Sequence, residues 1–268
     1  MRDTPSTPRI AILIADSPEP FFREIKDIMS QLQDFSDSGF QIDVFYAIGN
    51  EKYWLRTEIA LRSEWMRYSK VWPLKYISDY LMLKRYRKEL PQVIRNGSQL
   101  KIDIPEGLNH LSVKMLAAFK YLAELNYDYV FRTTLSSYIN KNVLLEFTKS
   151  WPSGEPLYGG SLVEFNEHPF ISGAATLLNR ESIHLLIENQ KKMNFARIDD
   201  VEFGRIFEPI VKPHSMKHLN IDSLEKLNSY SFAELEAAVS IRCTTKKMPR
   251  QDQIVIKALV ERLHNSKS

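Results

Sequence analysis

The chain has 268 residues, 44% of them hydrophobic and 26% charged, which is the composition of a globular protein able to bury one sizeable core. A net charge of +3 is too small to mark a nucleic-acid binder by itself, and one cysteine, Cys243, excludes an intrachain disulfide and a multi-cysteine zinc site, so a reducing, cytoplasmic setting is the expectation. The apolar run Ile10 to Ala15 is shorter than a signal h-region or a membrane span, and no later stretch reaches eighteen apolar residues.

Arg9 to Asp16 reads as a buried parallel strand closed by a carboxylate and Ser-Pro-Glu-Pro. Helical spacing from Phe21 to Leu32 and a second strand, Gln41 to Gly49, complete a βαβ opening, whose strand ends are where ligands of open α/β sheets gather. Asp16 is therefore a candidate contact for a ligand base or ribose, with a loop cap as the alternative.

Between Lys52 and Lys101 twelve Lys or Arg stand against four acids and are interleaved with eight Tyr or Trp. The stretch reads as a mostly helical insertion over about 52–98. Three readings apply to it: a solvated, aromatic-anchored insertion, a surface that sits on anionic lipid, and a grip for single-stranded nucleic acid. The last ranks lowest, and no nucleic acid is expected.

A strand at Gln99 to Ile104 and a helix from Leu111 to Leu125 follow, the latter stopped by Asn126-Tyr127-Asp128. Tyr129 to Thr133 is a short buried strand running into Thr134-Leu135-Ser136-Ser137 and a helix from about Lys141 to Lys149. Leu157 to Val163 and Ile171 to Leu178 are strands rich in small residues, which let a ligand approach the backbone. Helices over Arg180 to Lys192 and from Ile198, a strand at Val239 to Cys243 and a terminal helix over Asp252 to His264 complete an α/β domain with a mostly parallel central sheet. No internal repeat or linker divides it, and one domain over 1–268 is expected.

No P-loop, G-x-G-x-x-G, G-x-S-x-G or H-E-x-x-H is present. His110-Leu111-Ser112-Val113-Lys114-Met115-Leu116, Tyr127 to Asn140, His168 to Arg180 and Ile198-Asp199-Asp200-Val201-Glu202-Phe203-Gly204 occur in that order. Together they resemble the L-T-x-K-x-L, Y-V-x-K-T-D-D-D-x-F-x-N, Y-P-x-x-x-S-G-x-G-Y-x-L-S-R and E-D-V-x-x-G segments of the β-1,3-galactosyltransferase and Fringe-type glycosyltransferases. The resemblance spans about residues 110–205. It implies a GT-A-like fold and a hexosyltransferase that moves a hexose or N-acetylhexosamine from a nucleotide-sugar donor to a glycan acceptor, in surface polysaccharide or lipopolysaccharide synthesis; a lipid-linked acceptor and a place on the inner face of the membrane are expected from the basic-aromatic insertion alone.

The chain departs from the family at the D-x-D carboxylates that hold a divalent metal, where Thr134-Leu135-Ser136-Ser137 offers hydroxyls without charge. No cofactor is expected, and a divalent metal least of all. Fixed cations must then stabilise the departing diphosphate. Candidates are Lys114, Arg132, Arg242, Lys246, Lys247 and Arg250, with Ser136 and Ser137 as neutral donors and a solvated basic loop as the alternative for 242–250. The resemblance gives Asp200 the role of base in an inverting transfer, and puts Ser172, Gly173 and Asp199 on the acceptor side. Helix N-capping is the alternative for the aspartates, tight strand packing for Ser172 and Gly173. His214 and His218, four apart, could share a helical face, with a surface or structural role as the weightier reading. A catalytically inactive nucleotide- or glycan-binding module of the same fold is the alternative function.

Overall fold

The computed structural model describes residues 8–17, 20–32, 35, 41–50, 84–106, 110–165, 168–195, 197–245 and 250–265. Strands β1 (Arg9–Ala15), β2 (Gln41–Asn50), β3 (Val93–Asn96), β4 (Gln99–Pro105), β5 (Tyr129–Thr134), β7 (Tyr158–Phe165), β8 (His168–Asn179) and β9 (His214–Ser215) form one sheet in the order β3-β4-β2-β1-β5-β8-β7-β9. Its centre, β4-β2-β1-β5, is parallel, whereas β3 and β8 pair antiparallel with their neighbours and β7 pairs antiparallel with β8. A small sheet, β10 (His218–Ile221), β11 (Ser240–Cys243) and β6 (Ser137–Ile139), lies in the order β10-β11-β6.

The period-2 alternation of β1 sends its side chains into two cores. Ile10, Ile12 and Ile14 face a layer built with α1 (Pro20–Leu32) and the terminal helix α8 (Asp252–Asn265), where Ile25, Val255 and Leu259 are buried. Ala11 and Leu13 face the other layer, made by α2 (Leu111–Glu124), α4 (Arg180–Glu188) and α5 (Asp199–Phe207) with Val113, Phe119, Ile183, Phe203 and Phe207. Each fully buried Ile, Leu or Phe contributes about 1.5–3 kcal/mol, so a strand buried on both faces must be apolar throughout. Helices α3 (Lys141–Ser150), α6 (Leu224–Ser229) and α7 (Phe232–Glu236) complete the fold. Among the described residues no helix is long and apolar enough to cross a membrane.

Most expected elements stand within a few residues of their predicted ends, and Asn126, in the left-handed region at φ 62°, ends α2 where the sequence indicated. Three expectations change. Val93–Asn96, assigned to the helical insertion, is strand β3, because Gly97 at φ +60° opens a two-residue hairpin turn onto β4. The helix expected to reach Lys192 ends at Glu188 and gives way to a 3-10 turn at Gln190–Lys192. His214 and His218 lie on separate short strands, β9 and β10, instead of one helical face. His214 stacks on Phe147 and Trp151, with centroids 5.0 and 5.6 Å away. Residues 51–83, most of the basic-aromatic segment, lie outside the described residues.

Candidate active site

The parallel strands β1 and β5 end at Ala15 and Thr134, and β8 runs back past β5 with Arg132 opposite Thr176 and Thr133 opposite Ala175. This register brings Asp16, the Thr134–Ser137 turn and the Ser172–Gly173 segment to the carboxyl end of the sheet, where open α/β folds bind ligands. Two groups of charged side chains meet there.

The first sits where α5 meets β8. Asp199 and Asp200 are the first two residues of α5, and Ile198, at the N-cap, provides no side-chain cap. Asp199 is 2% exposed and pairs with Arg132 at 2.9 Å, turning inward where a capping residue would turn back on the helix. Burial pushes its carboxyl above the usual range, and the Arg132 guanidinium pulls against that rise. The guanidinium lies so close over Gly173 that a Cβ there would come within 1.8 Å of it. Asp200 is half-buried; one carboxylate oxygen accepts from the Gly173 amide at 3.2 Å and the other from the Val201 amide at 2.8 Å. Arg132 thus links β5, α5 and the Ser172–Gly173 segment, while among the described residues Asp200 is held by backbone amides alone.

The second group surrounds the Thr134–Ser137 turn. Ser136 and Ser137 are buried, and their hydroxyls have partners inside the protein: Ser136 Oγ donates to Asp252 at 3.0 Å, and Ser137 Oγ shares a hydrogen bond with Thr134 at 2.9 Å. Arg242 stands opposite Ser137 in the β11–β6 register. Burial holds the Arg242 guanidinium below its usual basicity, the nearby charges of Arg132 and Arg250 lower it further, and Asp252 opposes them. The Nε of Arg242 and the Nε of Arg132 are buried without a hydrogen-bond partner among the described residues. Most buried side-chain donors are hydrogen-bonded, and one that is not calls for a partner such as water or an ion.

Asp252, at the start of α8, was not singled out in the sequence as a site residue. Fully buried, it accepts from the Thr245 amide at 2.8 Å and the Thr245 hydroxyl at 2.9 Å and pairs with Arg250. Its signal is faint: one acid after a basic stretch reads as a helix-start residue, and only the long-range contact with Ser136 shows that it braces the turn.

The remaining candidates divide. Asp16 forms an ion pair with Lys26 at 2.7 Å. Lys114 is buried, paired with Glu106 at 2.6 Å and donating to the Asp16 carbonyl at 3.3 Å, so its ammonium joins the ends of β1 and β4. Ser172 lies beside Gly173 on β8, its carbonyl accepting from Thr176 at 2.8 Å. Lys246 and Lys247 lie outside the described residues.

A divalent cation does not fit the donor set at the turn. The hydroxyls there are hydrogen-bonded internally, and Asp16, Asp199 and Asp252 are each engaged by a cation of the protein. A hard dication prefers carboxylate oxygens with lone pairs to give.

No protein-family model matches the chain and no curated protein matches it. Among solved structures it is similar to a glycosyltransferase involved in the glycosylation of the major capsid of PBCV-1, with TM-score 0.46 and 9% sequence identity over 94% of this chain and 99% of that one. It is also similar to the glycosyltransferase GlyE of Streptococcus pneumoniae TIGR4, with TM-score 0.42 and 10% identity over 97% of this chain and 64% of that one. The apo form of GlyE gives TM-score 0.45 and 8% identity at the same coverage. The chain spans under two thirds of GlyE's length. Likenesses at this level carry no argument about chemistry, which rests on the side chains.

Proposed function

We propose that the chain is an inverting, metal-independent glycosyltransferase that moves a hexose or N-acetylhexosamine from a nucleotide sugar to a glycan hydroxyl, in surface polysaccharide or lipopolysaccharide synthesis at the cytoplasmic face of a membrane. The observation that carries it is Arg242, placed near Arg132 and Arg250 beside the Ser136–Ser137 turn with its Nε unpartnered among the described residues. Asp199 engages Arg132 and Asp252 engages Arg250, so among the described residues Arg242 is the guanidinium of the three without a carboxylate of its own, and a nucleoside diphosphate is an anion that would join it.

In the reaction the acceptor oxygen forms a bond to the anomeric carbon of the donor as the bond from that carbon to the diphosphate oxygen breaks. Asp200 takes the acceptor proton, and the electron pair of the broken bond goes to the diphosphate, where the guanidinium groups stabilise the charge. The resemblance over 110–205 supports Asp200 in this role, as do its exposure and its backbone-only partners, which leave the carboxylate no cation to neutralise it.

The test is a panel of nucleotide sugars incubated with the pure protein with and without EDTA, reading nucleotide release. Release survives EDTA and falls about 10²–10⁴-fold in Asp200→Asn. Release abolished by EDTA would overturn metal independence, and release unchanged in the variant would remove Asp200 as base. An inactive binding module is the second reading, favoured by the internal pairing of Asp16, Asp199 and Asp252. Nucleotide binding without turnover, with any acceptor supplied, would establish it.

A further inference from the structure

Helix α5 and strand β8 run side by side away from Asp200. Asp200 meets the Gly173 amide, Gly204 meets Phe170 so closely that a Cβ would approach the phenylalanine Cβ to 2.4 Å, and Glu208 meets His168 at 3.0 Å. Along this track, lined by Val201, the residue that follows Asp200, and by Gly204 and Glu208 beyond it, lies a cavity of about 420 Å³. Pro169, Phe170 and Val201 give it an apolar lining, and a cavity of this size holds a small ligand.

The charges around the cavity are not equivalent. Arg205 is held by Glu202 and by the Lys192 carbonyl at 2.7 Å, and His168 pairs with Glu208. Arg197 also lines the cavity, is exposed, and its guanidinium has no partner among the described residues. One unengaged guanidinium over an apolar wall suits a ligand with a C–H face and an anionic group, since the planar fork binds carboxylate and phosphate in two-point fashion.

We propose that this cavity is the acceptor subsite and that it selects an acceptor carrying an acidic group, a uronic acid carboxylate or a sugar phosphate, on the unit next to the one that is glycosylated. The assignment rests on the proposed role of Asp200 as base. The sugar ring lies on Phe170 and Val201, its acid meets Arg197, and the following unit reaches the neighbouring Asp200. None of the residues read from the sequence as acceptor-binding lines this cavity.

The test needs no donor. Binding of methyl β-glucuronide, galactose 1-phosphate and methyl β-glucoside is measured by saturation-transfer NMR titration at low ionic strength. Both acids, or one of them, bind about fivefold or more tighter than the neutral glycoside, which is the order expected of an exposed charge-assisted contact. The tighter acid names the source, carboxylate or phosphate. Arg197→Gln brings acid and neutral probes level, and Val201→Trp, which fills the cavity, removes binding of all three, both with unchanged thermal midpoints. Equal binding of the three probes, an acid preference that survives Arg197→Gln, or no detectable binding overturns the proposal. Nucleotide release by a protein without acid preference would sink the subsite and leave the transferase reading in place; acid preference in a protein without turnover would leave an acid-selective sugar site and sink the transferase reading, and with it the cavity's role as acceptor site.

Discussion

Lys114 and Arg242 are two cations drawn out of water near the carboxyl end of the sheet, and they differ in their company. Lys114 is 3% exposed and saturated, with the Glu106 carboxylate at 2.6 Å and the Asp16 carbonyl beside it, while the Gly49 amide donates to the same Glu106 carboxylate. Arg242 is half-buried, has further positive charge nearby, and leaves its Nε without a partner among the described residues. The lesson is that burial of a cation does not by itself mark a binding site. A satisfied cation holds the fold together, whereas an unsatisfied one among like charges is poised for an anion.

Four measurements would break or sharpen this contrast. The largest effect is expected at Lys114: Lys114→Ala removes the ammonium from the buried Glu106 carboxylate, and breaking a buried ion pair from one side costs about 3–5 kcal/mol of stability in chemical denaturation. A loss below about 1 kcal/mol would show that the pair is not structural. Arg242→Ala is expected to do the opposite, leaving the midpoint of unfolding unchanged or raised because like-charge repulsion is relieved, while nucleotide release falls about 10²-fold. In the same pair, inorganic pyrophosphate at about ten times its dissociation constant adds about 1.4 kcal/mol to the wild-type stability and nothing to the variant. Equal stabilisation of both would move the anion site elsewhere.

The smallest effect concerns two histidines that share these surroundings. Burial holds His110, near Lys114, and His218, near Arg242, below the ordinary value of 6.5; the Glu106 carboxylate works against that at His110 and the Asn220 side chain at His218, while the two cations lower them. The folded chain then binds fewer protons than the unfolded one below that value, so their contribution to stability is present above pH 6.5 and is lost as pH falls through it toward the lowered folded values. Thermal midpoints measured from pH 7.5 to 5 should decline, and His218→Gln should flatten the slope. A midpoint that rises over that interval would contradict the assignment.

Legibility varied along the chain for physical reasons. β1, α2 and β5 carry their burial in their own composition, and period alone placed them. β3 was missed because a helical reading of the basic-aromatic stretch ran through Asn96-Gly97, whose turn chemistry overrides it. The resemblance separates Asp199 and Asp200 by expected role, acceptor side and base, but the pattern does not show which side chain turns inward. The structure turns Asp199 inward onto Arg132 and leaves Asp200 half-exposed against Gly173. Asp252 and Arg197 escaped altogether, since a single charge near a helix start has many ordinary explanations.

By itself the sequence determined the α/β class, the order of most elements, the absence of carboxylates from the Thr134–Ser137 turn and the chemical types available to replace them. These follow from local periodicity and from residue identity, which need no partner. The tertiary structure alone decided which cations are satisfied, which aspartate is held by a salt bridge, and that a cavity lies beside α5. Those properties depend on distances between residues as far apart as Ser136 and Asp252, and Coulomb and desolvation energies are set by distances that no local pattern encodes.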